Sequence, residues 1–330
     1  MFHKEAKDQH YISVSEQKLN SINPNETDRK KIKIYSFKLI DRETHKIELC
    51  NPSLVKAIKN LYYTDLYTFE ILDKNQRLCF ENLFERLERK VGSQTNKILD
   101  NDEFTVGDFL DVIKTKFLNM IRNPYCIKFT LNNFSAIKDL YPKDTDLNSK
   151  FKKIEALKVS SEILEKFVIT EKDYKDWLKI IFLMITPLNR NRYILDDVVE
   201  NFFNLEKFYH LIYLCKFTNK TCLLSDRGYV NLSELFENSD GMSFGFNLRH
   251  DSFIYLTFFP NDLVKISKDI IGLSGENVAR ILKEKGVTKI QTGLSIQLSI
   301  DNLELLKSYN KHVIYQCFNN VFAAKPEILK

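Results

Sequence analysis

Residues 32–40 (Ile-Lys-Ile-Tyr-Ser-Phe-Lys-Leu-Ile) set Tyr35, Phe37 and Leu39 two apart, the spacing that puts side chains on one face of a strand. The polar stretch Asp41 to His45 predicts a turn, Lys46 to Cys50 the return strand of a hairpin, and Asn51-Pro52-Ser53 its end. From Gln76 the period changes. Phe80, Leu83, Phe84, Leu87 and Val91 fall at helical spacing, with Glu81, Glu85, Arg86, Glu88 and Arg89 on the other side. Val106, Phe109, Leu110, Ile113, Phe117, Met120 and Ile121 form a second apolar stripe, which predicts a helix ending before Pro124. Residues 149–168 read as one further helix. Thr170 and Asp173 stand at the reciprocal positions of a capping box, opening a helix that becomes apolar on every side by Ile185 and stops at Pro187.

The period then returns to two. Phe208–Phe217 and Thr221–Leu224 read as strands around an Asn219-Lys220 turn, and 244–248 with 253–259 as another hairpin. A last helix is predicted from about Asp301 to Phe322, with Leu306, Tyr309, Val313, Cys317 and Val321 as its stripe. Strands, helices, then both again predict an α+β fold, mostly helical, with a hairpin near the N-terminus and an antiparallel sheet in the second half. One large domain over 1–330 is expected; a subdivision would separate 1–145 from 146–330.

Composition narrows the class. Hydrophobic residues are 44% of the 330, with 25 Phe and 15 Tyr, enough for a sizeable core, and 28% charged residues argue against extensive disorder. A net charge of +5 from 49 basic and 44 acidic residues lacks the basic stripe of a strong nucleic-acid binder; Arg29-Lys30-Lys31-Ile32-Lys33 reads as a solvated loop entering a strand. The six cysteines lie mostly in apolar runs such as Leu211-Ile212-Tyr213-Leu214-Cys215, without the two-residue spacing of a zinc site, which predicts small buried hydrophobes in a cytoplasmic protein. The polar segment Met1 to Asp8 has no signal core, and the apolar run Ile180–Ile185 falls far short of the ~20 residues of a membrane span. Phosphate-loop, dinucleotide, nucleophile-elbow and His-Glu-x-x-His motifs are all missing. Ser274-Gly275-Glu276-Asn277 opens a predicted helix, Val278 to Lys285, and reads as an ordinary N-cap before it reads as an anion site.

Several separated segments carry a likeness. Gln9-His10-Tyr11-Ile12-Ser13, Leu19, and the strand Lys31-Ile32-Lys33-Ile34-Tyr35 are followed by Asn51-Pro52, Val55-Lys56, Asn60-Leu61-Tyr62 and the acidic helix Glu81 to Glu88. Leu224-Ser225-Asp226, Phe246-Asn247-Leu248 and Asn319-Asn320-Val321-Phe322-Ala323 continue it. Together they resemble a bacterial domain-of-unknown-function family, number 4238, whose members open with His-His-Tyr-Val-Pro and close on an Asn/Ala helix. Gln9, Ser13 and Arg227-Gly228 depart from that pattern, so if the paired His forms a metal or catalytic site, this chain keeps half of it. Some members sit among phage-defence genes, which implies an anti-phage role.

If the likeness marks an active site, its residues are His10, Asp226 and an acid of the Glu81/Glu85/Glu88 helix, Glu88 foremost. A His near neutral pKa acts as base, and carboxylates orient it or hold a divalent metal for phosphodiester hydrolysis. Arg249, beside His250 in a predicted hairpin turn, would stabilise an anionic transition state. Each has a plainer reading: His10 a satisfied polar residue at a strand or helix start, Asp226 the Asp of a Ser-Asp-Arg-Gly turn, the Glu residues a solvated helix face. Three functions follow as expectations. One is a defence effector, as a metal-dependent nuclease or other phosphodiester hydrolase. The second is a non-catalytic recognition or sensor module for a phage protein or nucleic acid, and the third a house-keeping binding protein. A His10–Asp226–Glu cluster favours the first, and a broad exposed aromatic face without it favours the second.

Overall fold

The computed structural model describes residues 2–4, 7–71, 77–100, 103–187, 192–233, 241–260, 288–291 and 294–330. The predicted helix at Val278–Lys285, with its Ser274-Gly275-Glu276-Asn277 opening, lies outside the described residues.

The first third carries strands β1 (His3–Lys4) and β2 (Asp8–His10), helix α1 (Val14–Leu19), then β3 (Lys33–Asp41), β4 (Lys46–Lys56), β5 (Tyr62–Thr64), β6 (Thr68–Ile71) and β7 (Arg77–Cys79). A helical middle follows: α2 (Glu81–Glu88), α3 (Val91–Asp100), α4 (Val106–Arg122), α5 (Ile127–Asn133), α6 (Thr145–Glu155), α7 (Ser161–Phe167), α8 (Glu171–Ile185) and α9 (Ile194–Phe202). The last part holds β8 (Phe208–Lys216), β9 (Leu224–Ser225), β10 (Val230–Asn231), β11 (Met242–Arg249), β12 (Ser252–Pro260), β13 (Thr288–Gln291), β14 (Leu294–Ile300), α10 (Leu303–Gln316) and β15 (Asn320–Ala323). The fold is α+β. No helix among the described residues is long and apolar enough to cross a membrane.

Apolar periodicity explains the middle. Both α4 and α8 open with complete Thr–Asp capping boxes, at Thr105/Asp108 and Thr170/Asp173. Every residue from Ile180 to Ile185 is buried, so α8 runs through the main core, where Phe182 stacks on Phe2 with centroids 5.5 Å apart. Phe117 of α4 meets Phe244 and Phe246 of β11, joining the helices to the large sheet. That sheet has the order β10-β11-β12-β8-β14-β13, antiparallel throughout except for the parallel pair β8–β14. Its second face packs on α10, where Phe253 and Tyr309 stack at 4.1 Å. A four-stranded sheet, β4-β3-β15-β9, closes the same second core through Phe37 and Val321.

Four expectations are corrected. The return strand does not stop at Asn51-Pro52-Ser53 but runs to Lys56, re-registered by an irregularity between Tyr35 and Phe37 of its partner. The helix over 149–168 is two helices, because Phe151 and Ile154 are needed against α8 while Ile163 and Phe167 face elsewhere, Phe167 against Tyr63 and Tyr125. Thr221–Leu224 does not return beside β8, whose two edges are already taken by β12 and β14. Instead Leu223 donates its N–H to the Asn310 side chain at 3.0 Å, and only Leu224–Ser225 forms a strand, against β15. The final helix ends at Gln316, and the Asn319–Ala323 segment expected to be helical is largely strand β15. The cause is Asp226: its carboxylate accepts the N–H groups of Phe318 (2.8 Å), Asn319 (2.7 Å) and Asn320 (2.9 Å), which another helical turn would have used internally.

Candidate functional site

Strand β2 places neighbouring side chains on opposite sides. Gln9 is fully buried; its amide donates to Thr68 Oγ1 at 2.9 Å and its carbonyl accepts the Tyr67 N–H, so it pins β2 to the β6 end. His10 points the other way, into a polar pocket of about 280 Å³. Positions 9 and 10 therefore cannot serve one site from this strand. Burial, and next the nearby Arg122 cation, push the His10 imidazole down to about 4, although the backbone carbonyls of Ile58 and Ala57 pull it up. Its Nε2 is buried without a hydrogen-bond partner. At neutral pH it is an uncharged ring, and a weaker base than a His of ordinary pKa.

The floor of this pocket is Arg122, the last residue of α4, whose side chain is 1% exposed. It donates to Asn119 Oδ1 at 2.7 Å and to the Tyr11 carbonyl at 3.3 Å, lies 4.5 Å from the Phe84 ring centre and forms an ion pair with Glu88. Burial pushes the Glu88 carboxyl up, against the pull of Arg122, and the Glu16 charge adds to the rise. Glu16 itself is held by Lys116 at 2.8 Å, with both side chains below 5% exposure. Ser13, Arg29, Glu81, Glu85 and Arg89 complete the pocket wall.

His10 and Glu88 are thus brought together, and Asp226 and Arg249 are not. Asp226 is 2% exposed and occupied by its three backbone donors, while its own carbonyl takes the Asn123 amide at 2.8 Å. Burial raises its pKa, with the three N–H groups opposing. Arg249 ties the β11–β12 turn to the end of α3, bonding Asp251 at 2.8 Å and pairing with Asp100. Its guanidinium is spent on those two carboxylates. Among the described residues, no group of three or more His, Cys, Asp or Glu is placed to hold a metal ion.

Sequence reasoning missed Arg122 and the Glu16–Lys116 pair. A signal existed: Lys116 falls three residues after Ile113 and four before Met120, a charge on an apolar stripe.

A second concavity, about 690 Å³, lies along strand β5 of the β2–β5 ribbon. One wall is Lys59–Asp65, including all of β5, and the other is Leu157–Ser160 with the start of α7. The Lys166 ammonium sits 4.4 Å from the centre of the Tyr63 ring, and Lys59 5.7 Å from that of Tyr62, which also meets the His10 ring at 5.7 Å. Tyr62 therefore touches both the groove and the pocket residue His10.

No protein-family model matches this chain, and no curated protein or solved structure matches it either.

Proposed function

We propose that this protein is a recognition module of a bacterial anti-phage system, binding a phage polypeptide in the groove beside β5. The carrying observation is the groove itself. It is the larger of the two concavities at the β2–β5 ribbon and one wall is formed by the residues of the whole of strand β5, a surface suited to a peptide. The Tyr62 and Tyr63 rings each already carry a lysine and Tyr174, the third tyrosine of the lining, is buried, which leaves less aromatic face for stacked bases and favours protein over nucleic acid. The separation of His10 from Asp226 and Arg249 weighs against the hydrolytic centre expected from those residues. The defence role itself rests on the likeness to the phage-defence family.

Plating efficiency of phage on bacteria expressing the protein tests this reading. Native chain should protect, and the double substitution Lys158→Glu/Lys166→Glu, on exposed residues, should abolish protection at unchanged protein level. Protection indifferent to that double substitution would remove the groove from the function.

One observation favours a second reading. The orphan His10 Nε2 beside the Glu88–Arg122 pair is an acid–base arrangement of the kind that handles proton transfer. Hydrolysis of bis-(p-nitrophenyl) phosphate by the native chain, lost in His10→Gln, would support it; equal rates in the two proteins would exclude it.

A further inference from the structure

We infer that the groove takes an extended polypeptide segment as an added strand on the open edge of β5, with an acidic side chain of that segment held between Lys158 and Lys166. This rests on the recognition reading above and adds its mode and chemistry.

The backbone of β5 leaves that edge free. Tyr11 N–H donates to the Leu61 carbonyl at 3.0 Å and Asp65 N–H to the Lys7 carbonyl at 2.9 Å, while Gln9 stands opposite Tyr63. Bonded and non-bonded pairs alternate along an antiparallel ladder. Leu61, Tyr63 and Asp65 therefore turn their polar backbone toward β2. Tyr62 and Thr64, opposite His10 and Asp8, present their N–H and C=O groups on the other side. No second strand pairs with β5 among the described residues. Leu61 (φ 53°) and Asp65 (φ 55°) are left-handed residues that bend the chain away at each end, so the edge is short. Such an edge resists indiscriminate aggregation yet offers two donors and two acceptors to one guest strand.

The groove's charges set the guest's chemistry. Of its ionic lining, Lys59 is paired with Asp8, Asp65 with Arg77, and Glu70 with Lys153. That leaves Lys158 and Lys166, neither in an ion pair among the described residues, against Glu162 alone. Leu157, Val159 and Ile163 supply the apolar wall for the guest's alternate side chains.

The test uses the full chain and end-blocked, fluorescent peptides of about six residues, a usual strand length, alternating Val and Thr with a central Glu or Lys. The Glu peptide should bind about tenfold tighter than the Lys peptide, one charge contact's worth, and Lys158→Glu/Lys166→Glu should reverse that preference. Amide exchange should slow at Tyr62 and Thr64 and stay unchanged at Tyr63. Thr64→Pro, which removes a groove-facing N–H and no ladder bond, should melt like the native chain and lose the peptide. If that variant misfolds, a Glu peptide N-methylated on its backbone asks the same question from the ligand side. Equal binding of the methylated peptide, protection elsewhere in the chain, or displacement of the peptide by oligo-dT would each overturn the inference. So would slowed exchange at Tyr62 and Thr64 in concentrated protein alone, which would assign the edge to a second copy. Phage protection lost in the lysine variant without strand-type binding would sink this mode alone; strand binding without any phage protection would sink the defence reading alone.

Discussion

Arg122 and Lys116 are cations almost without solvent, and each survives there because one carboxylate answers it. Desolvating an ion pair gains little net stability, yet removing one partner strands the other charge, at a cost of about 3–5 kcal/mol. Glu16→Ala and Glu88→Ala should each lower unfolding stability by roughly 3 kcal/mol in urea titrations. His10 gives a pH signature. The unfolded chain gains a proton at the ordinary value of 6.5, but the folded chain only near 4. Stability from this group is thus full above pH 6.5 and declines as pH falls through that window, by about 3 kcal/mol. His10→Gln should remove that share, read as the difference between the two proteins' stability–pH curves. At this scale His10 and Glu88 stood out only through the likeness to the family's opening segment and acidic helix, since nothing in the local spacing marks either of them. Asp226 drew notice too, but its three partners lie more than ninety positions away. No local spacing discloses such a bond.

Helix ends are a different matter, since their signals are local. The Thr–Asp boxes of α4 and α8 are written in adjacent residues, and the Thr170/Asp173 box, read from sequence, forms as expected. The end of α7 is less orthodox. Val168 adopts φ 53° at its cap, and Ile169 N–H reaches back to the Leu164 carbonyl at 3.1 Å, the ladder of a Schellman motif. Glycine is the usual occupant; a β-branched residue there costs about 1–2 kcal/mol. Val168 is 71% exposed, so its side chain gains little in return. Val168→Gly should raise stability by about 1 kcal/mol, which for a chain of this length is about 1–2 °C in melting temperature, in a thermal scan, and Val168→Ile should not. Strand neighbours were harder to read. The period of two announced β8, β11 and β12 correctly, and the β11–β12 hairpin with them. It says nothing of β14 lying parallel to β8, because parallel partners are joined by long connections rather than by turn residues.

Across the whole molecule the main core gathers residues from Phe2 to Phe322. Residues 1–145 expressed alone would lack α8, and with it Trp177, Ile181 and Phe182 of the core. That fragment should show no cooperative melting transition by near-ultraviolet circular dichroism, whereas a sharp transition would establish an independent N-terminal unit. The α+β class was legible because it depends only on the kinds of elements present. The pairing of β3 with β15 was not, because it joins two distant stretches, each unremarkable alone. That pairing also bears on how the chain is made. Strand β3 leaves the ribosome long before Asn320–Ala323 has been synthesised, and at about 5–20 residues per second the delay is tens of seconds. Through that interval the edge later covered by β15 is open to any neighbouring nascent chain. Lys38, exposed on β3 within the stretch that β15 covers, is the type of charge that discourages strand addition at an open edge.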